Sequence, residues 1–183
     1  MPSPIGHALA GAAVVWTADA LDRRQSGPAL LATAAVLAAA PDLDLLVPRF
    51  HRTATHSLMA VLLVFMIAAA VTGRVTRWRI ASICAAAYAS HLLLDWLGAD
   101  QFVPAGIQLL WPFEPQFFIS GWDVFEQTER RHLFVKATMH QNLHAVAREV
   151  VIVAPVAAAL WLVRVKALSR FSSKVARGHH AAK

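Results

Sequence analysis

The chain has 183 residues, of which 57% are apolar and 15% charged, with a mean hydropathy of +0.50. Soluble domains run nearer 45–50% apolar and about 25% charged, so this composition points to a membrane protein and excludes a disordered or fibrous one. The single cysteine, Cys84, excludes an intramolecular disulfide and a Cys-cluster metal site, and the formal net charge of +6 has to be mapped along the chain before it implies nucleic acid.

A helix crossing the hydrocarbon core needs roughly 20 mostly apolar residues, or about 17 when its flanks can snorkel. Ile5–Ala18 and Pro28–Ala40 are short and rich in alanine and glycine, which suits close packing through faces such as Gly6/Ala10. They read as two spans or as a re-entrant pair. Ser57–Gly73 is free of charge, and Ile80–Ala99 carries only His91 and Asp95; these are the two clear spans. Val150–Val163 is shorter, but Arg164 and Lys166 can snorkel and the helix can extend backward through Thr138–Glu149. No Lys or Arg precedes the first apolar run, so a cleaved signal with a basic n-region is not expected and Met1 is read as the start of the mature chain. The expected fold is all-α: a polytopic membrane bundle of about five helices over residues 1–165, followed by a basic tail over 166–183.

Five spans divide the charges between two sides. The turns Asp19–Gly27 and Arg74–Arg79 and the tail from Arg164 hold eleven Lys/Arg against two acids, while the other side holds six against nine. By the positive-inside rule the first side is cytoplasmic, so the N-terminus and Gly98–Arg148 face outward, to the periplasm in a double-membraned bacterium. The tail carries no base-reading motif; attraction to anionic inner-leaflet lipid accounts for it.

Ionisable groups inside apolar spans are expensive and mark functional sites. His7 opens the first span, Pro41-Asp42-Leu43-Asp44 closes the second, His51-Arg52-Thr53-Ala54-Thr55-His56-Ser57 opens the third, and His91-Leu92-Leu93-Leu94-Asp95 closes the fourth. The topology, drawn without using the histidines, puts all four groups at the outer ends of their helices. His91 and Asp95 lie at i, i+4 and share a face. His51 in a loop and His56 in a first turn could converge with them, with Thr55 as the N-cap. Taken singly, each piece has a duller reading: His7 as a packing residue, the HxxxD pair as a helix-end hydrogen bond, PDxD as a turn. Four histidines and three aspartates together form a nitrogen–oxygen donor set suited to zinc first, then manganese or iron, and not to copper(I). Seven groups exceed one four-coordinate ion, which leaves open two or more metals or one metal with carboxylate-oriented imidazoles around it.

Trp96–Phe134 holds nine of the sixteen aromatics, as an interfacial belt or as the entrance for an amphiphilic substrate. Asp123–Phe134 reads as a short amphipathic helix with a Glu126/Arg130 ion pair. His140, His144 and Arg148 form an i, i+4, i+8 stripe; facing the cluster, the two histidines would be further ligands and Arg148 a phosphate contact, whereas surface histidines at the membrane boundary are the simpler account. His132, His179 and His180 are read as uninvolved.

The series His7-Ala8-Leu9-Ala10-Gly11, Pro41-Asp42-Leu43-Asp44, His51-Arg52 with Thr55-His56-Ser57-Leu58, and Ser90-His91-Leu92-Leu93-Leu94-Asp95 followed by Leu110-Trp111-Pro112-Phe113 resembles the YdjM-type family of bacterial inner-membrane proteins. The resemblance covers about residues 1–115, and nothing beyond Phe113 matches a motif. It implies a metal-dependent hydrolase, distantly similar to zinc phospholipase C, with His7, Asp42, Asp44, His51, His56, His91 and Asp95 at the metal-binding positions. A phosphoester or lipid-like substrate follows from that likeness alone. In such a site a metal-activated water attacks, Asp44 or Asp95 is the general base, and Arg52 steadies the developing charge unless it merely pairs with Asp44. The competing expectation is a divalent-metal transporter or a metal-sensing protein using the same ligands. Bis-histidine haem ligation is disfavoured by the three aspartates. Membrane lipids are the expected partners, and nucleic acid is not.

Overall fold

The computed structural model describes residues 2–47, 51–129 and 134–181, with side chains as far as Phe171. It is all-helical: α1 (Pro4–Asp22), α2 (Pro28–Ala39), α3 (Leu58–Val71), α4 (Arg77–Leu97) and α5 (Lys136–Ala181), with 3-10 turns at Ala40–Leu46 and Ala54–His56. Among the described residues there is no strand, only two isolated bridges, Gly98 with Phe125 and Ile107 with Phe118. Three helical segments among the described residues are long and apolar enough to cross a membrane: Pro28–Leu46, Arg77–Leu97 and Lys136–Phe171.

Local chemistry sets the boundaries. Pro4 stands in the first turn of α1 behind the N-cap Ser3, whose hydroxyl accepts from the Gly6 amide at 3.4 Å, and the helix ends at Arg23 in the left-handed region with φ 54°. Pro41 has no N–H to offer the Leu37 carbonyl, which accepts from the Ala40 amide instead, and α2 tightens there into the 3-10 turn. Ser57–Gly73, expected as a clear span, forms a helix of only 14 residues, about 21 Å long. Ser57 is used as its N-cap, accepting from Ala60 at 3.2 Å, and Thr72 is already extended, so the helix falls short of a hydrocarbon core about 30 Å thick.

Helix α4 packs against α1, α2 and α3, while α1 lies between α2 and α5. Small residues allow the close approach: a Cβ on Gly11 would fall on the Ala34 carbonyl and come within 2.8 Å of the Ala38 Cβ. Val15, Ala34, Ile83 and Ala87 fill the space between α1, α2 and α4. At the end of the bundle that holds the α1 C-terminus, the buried Asp19 carboxylate accepts from Arg79 Nη2 (2.9 Å), Arg164 Nε (2.7 Å) and Ser26 Oγ (2.6 Å), which ties α1 to α4 and α5.

The segment after α4 departs from expectation. Residues 123–129 are not helical: Asp123 has φ 48°, Val124 donates to the Leu97 carbonyl at 2.9 Å, and Ala99 donates to that of Phe125 at 2.8 Å. The Phe125 side chain is buried with Leu94 and Val153, and this anchorage holds the strip extended along the end of α4. Arg130 and His132 lie outside the described residues; Glu126 bonds to His144 and Arg148. Of the aromatics, Phe125 belongs to the core, whereas Phe113, Trp122 and Phe134 are exposed.

Candidate metal centre

Four separate elements deliver polar side chains to one end of the bundle. His7 sits one turn into α1; Asp42 and Asp44 sit on the 3-10 turn that Pro41 initiates; His56 closes the second 3-10 turn; His91 and Asp95 lie one helical turn apart near the end of α4. Within the first turn Leu43 points outward while Asp42 and Asp44 are buried. His7, His56, His91 and Asp95 each have 0% of their surface exposed. Thr55 is not the cap of α3, a role taken by Ser57; its hydroxyl donates to Asp44 Oδ2 at 2.6 Å.

The buried donor atoms converge. His91 Nε2 lies 3.1 Å from His56 Nε2 and 3.2 Å from Asp95 Oδ2, while His56 Nε2 is 3.3 Å from that same oxygen. His7 Nε2 stands 3.4 Å from Asp95 Oδ1, and the His7 ring stacks on His91 with centroids 3.8 Å apart. The groups His7–His91–Asp95 and Asp42–His56–His91 each offer ligand atoms within 4.8 Å of one another. Bonds of about 2.0–2.1 Å to a tetrahedral ion would separate its ligand atoms by roughly 3.3 Å, which is the spacing found.

Two observations test whether these residues fit a cation. Although fully buried, neither nitrogen of His7 and neither oxygen of Asp95 makes a contact with hydrogen-bond geometry; they meet their neighbours by proximity of charge only. Buried polar groups left so are costly, and a cation among them satisfies all at once. The outer nitrogens of His91 and His56 are also committed. His91 Nδ1 donates to the Ala38 carbonyl at 2.8 Å, which assigns the proton to Nδ1 and leaves the Nε2 lone pair facing the cluster. His56 Nδ1 is 3.1 Å from Asp44 Oδ2 and 3.0 Å from the Thr55 hydroxyl, so its Nε2 also faces inward. The donor set fits a divalent ion of the zinc, manganese or iron type.

Of the nine ligands expected from sequence, His7, Asp42, His56, His91 and Asp95 are brought together in these groups. Asp44 stands behind them: its Oδ1 pairs with His51 Nδ1 at 2.6 Å, and its Oδ2 takes Thr55, the Arg52 amide at 3.1 Å, and His56. His51, held on Asp44 and 19% exposed at its side chain, lies at the solvent edge and in neither group. The Arg52 guanidinium pairs with Asp100, whose carboxylate also accepts from Gly106, so it is neither free over the site nor bound to Asp44. His140 and His144 are exposed and join neither group; His144 bonds Glu126 at 2.8 Å, and Arg148 and His144 together hold the Glu126 carboxyl below its ordinary range. The face of α5 turned inward is instead Ala145, Glu149, Val153 and Ala157. Sequence reasoning missed Asp100 and Glu149; for Glu149 the available signal was an acid in i, i+4 register with small apolar residues.

With this geometry in place, the comparison with protein families is decisive. The profile of the YdjM inner membrane protein family matches residues 1–170. The chain belongs to that family. The match runs well past Phe113, where the recognisable motifs end, so the family extends through most of α5. No curated protein and no solved structure matches the chain.

Proposed function

We propose that this chain is a membrane-bound metal-dependent hydrolase whose centre is formed by His7, Asp42, His56, His91 and Asp95. The observation that carries the reading is the set of four fully buried side chains whose donor atoms stand 3.1–3.4 Å apart, with the outer nitrogens of His91 and His56 already engaged. A divalent ion held there would polarise a phosphoryl or carbonyl oxygen and make water acidic enough to react near neutral pH. His51 is the group we assign to proton transfer, because it sits at the solvent edge and Asp44 orients its ring through Nδ1. Asp44 and Asp95 are each surrounded by imidazoles, so they orient and bind instead of accepting the proton. Zinc is the first choice of ion, and a phosphoester or lipid-like amphiphile the substrate class.

Eleven Lys/Arg against two acids in the turns Asp19–Gly27 and Arg74–Arg79 and in the sequence from Arg164 support a cytoplasmic location for those segments, and with it a metal centre at the outer face of the inner membrane. One observation favours a second reading, divalent-metal transport or sensing: the 0% exposure of His7, His56, His91 and Asp95 leaves little room for a bulky substrate. Position argues the other way, since transport sites lie near the bilayer midplane and these ligands lie at helix ends.

The test is purification in detergent with metal quantification, followed by hydrolysis assays on phosphoester, phospholipid and carboxylester panels. Stoichiometric metal with hydrolysis that His91→Ala abolishes supports the enzyme. Stoichiometric metal without hydrolysis, but with movement of the ion across liposomes, supports transport. Wild-type protein holding no metal refutes both.

A further inference from the structure

Glu149 has no place in the ligand set, yet it is buried to 2% exposure in the first third of the longest helix. Its two carboxylate oxygens lie 3.1 and 3.0 Å from the backbone amide of Ser3, 146 residues away. Ser3 is the N-cap of α1, and its carbonyl accepts from the amide of His7 at 3.2 Å. The carboxylate therefore grips the cap whose first backbone bond ends on a cluster histidine. Space has been cleared for the grip: a Cβ at position 6 would fall on the Glu149 carboxylate, so glycine there leaves the carboxylate its place. Burying a carboxylate is costly, which suits a group kept for position more than for stability.

We propose that Glu149 is a positioning residue for His7: by holding the Ser3 amide it fixes the first turn of α1, so that the His7 imidazole rests against Asp95 and His91. The proposal depends on the metal-centre reading and adds a role for α5, which supplies none of the five ligands.

The test uses the full chain in detergent with Co²⁺ as the probe, read by its visible d–d absorption and by competition titration. Glu149→Ala weakens Co²⁺ binding about 10–100-fold, the range typical of groups that orient a ligand, and shifts the absorption toward that of His7→Ala. Glu149→Gln keeps one acceptor oxygen for Ser3 and recovers part of the loss. The double variant His7→Ala/Glu149→Ala binds no more weakly than His7→Ala, because both remove the same interaction. Gly6→Ala, which displaces the carboxylate without deleting it, repeats the effect and serves where Glu149→Ala does not fold. An unchanged spectrum and affinity in both Glu149→Ala and Gly6→Ala, or losses that add in the double variant, would overturn the assignment. Wild-type protein that takes up no Co²⁺ overturns the metal reading itself, and is distinguishable from a wild type that binds Co²⁺ with indifferent variants.

Discussion

Asp44→Asn separates a ligand from an orienter. The wild-type carboxylate receives His51 Nδ1 on Oδ1, and Thr55 Oγ1, the Arg52 amide and His56 Nδ1 on Oδ2. An asparagine keeps one acceptor, and its amide nitrogen can only donate. The Oδ2 side must hold the remaining oxygen, since Thr55 and the Arg52 amide both donate there; the new NH₂ then faces His51 and forces that ring to accept at Nδ1. His56 keeps its partner but loses the charge on it, which roughly halves a charge-assisted bond. The expected fall in zinc affinity is about 10–100-fold, or roughly 1.4–2.8 kcal/mol. Hydrolysis should fall further than metal occupancy does, because His51 now carries its proton on the other nitrogen. Competition titration with a chromophoric chelator, alongside turnover at saturating zinc, measures both. A variant that loses metal as completely as His91→Ala would make Asp44 a ligand, and one with wild-type affinity would remove its orienting role; either result refutes the argument.

His140→Ala and His144→Ala, singly and together, should leave metal content unchanged by elemental analysis, since both side chains are exposed and outside the cluster. Gly11→Ala should destabilise the bundle by about 1–3 kcal/mol, seen as a lower midpoint in thermal unfolding in detergent, because the added methyl presses α1 off the Ala34 carbonyl. Burial opposes a charge on His56, but the Asp44 and Asp95 carboxylates beside it outweigh burial and raise its pKa to about 9. An ion must therefore displace that proton: zinc affinity should fall about tenfold per pH unit from 9 toward 7, with proton release on binding detectable in weak buffer, and a pH-independent affinity would contradict it. A reporter fused after Lys183 should be cytoplasmic; an outward signal would reverse the sidedness drawn from Lys/Arg counts.

What could be read from sequence was what depends on short spacing. His91 and Asp95 at i, i+4 had to share a face of α4, and Pro41 had to end α2 and turn the chain at Asp42. Roles that depend on which atom faces which neighbour were out of reach. Asp44 looked like a ligand because it is a carboxylate in a ligand-rich motif, and only its contacts to His51 and His56 show that it stands behind the imidazoles. The His140–His144–Arg148 stripe was a true helical face, but periodicity does not say which of two adjacent faces turns inward; the inward one begins at Ala145 and carries Glu149. The charge-free run at Ser57–Gly73 counted as a span because hydropathy ignores caps, and the cap at Ser57 shortens the helix. Arg52 found Asp100, a partner 48 residues away that no local pattern predicts.

The charges at the two ends of the bundle belong to one design. His7 and Asp19 are twelve residues apart on α1, and Arg79 and His91 are twelve apart on α4. The two helices run antiparallel, and each pair spans about 18 Å along its axis. Equal spacings allow α1 and α4 to meet at both ends at once: Asp19 with Arg79 at 2.9 Å in one, and His7 stacked on His91 in the other. An ion shared between two helices tolerates only a few tenths of an ångström of sliding before bonds of about 2.0–2.1 Å are lost. The Asp19–Arg79–Arg164 network opposes that sliding from the far end, without entering the site. Two of the basic residues counted in the charge asymmetry, Arg79 and Arg164, thus also help to set the register in which the histidine–aspartate cluster forms.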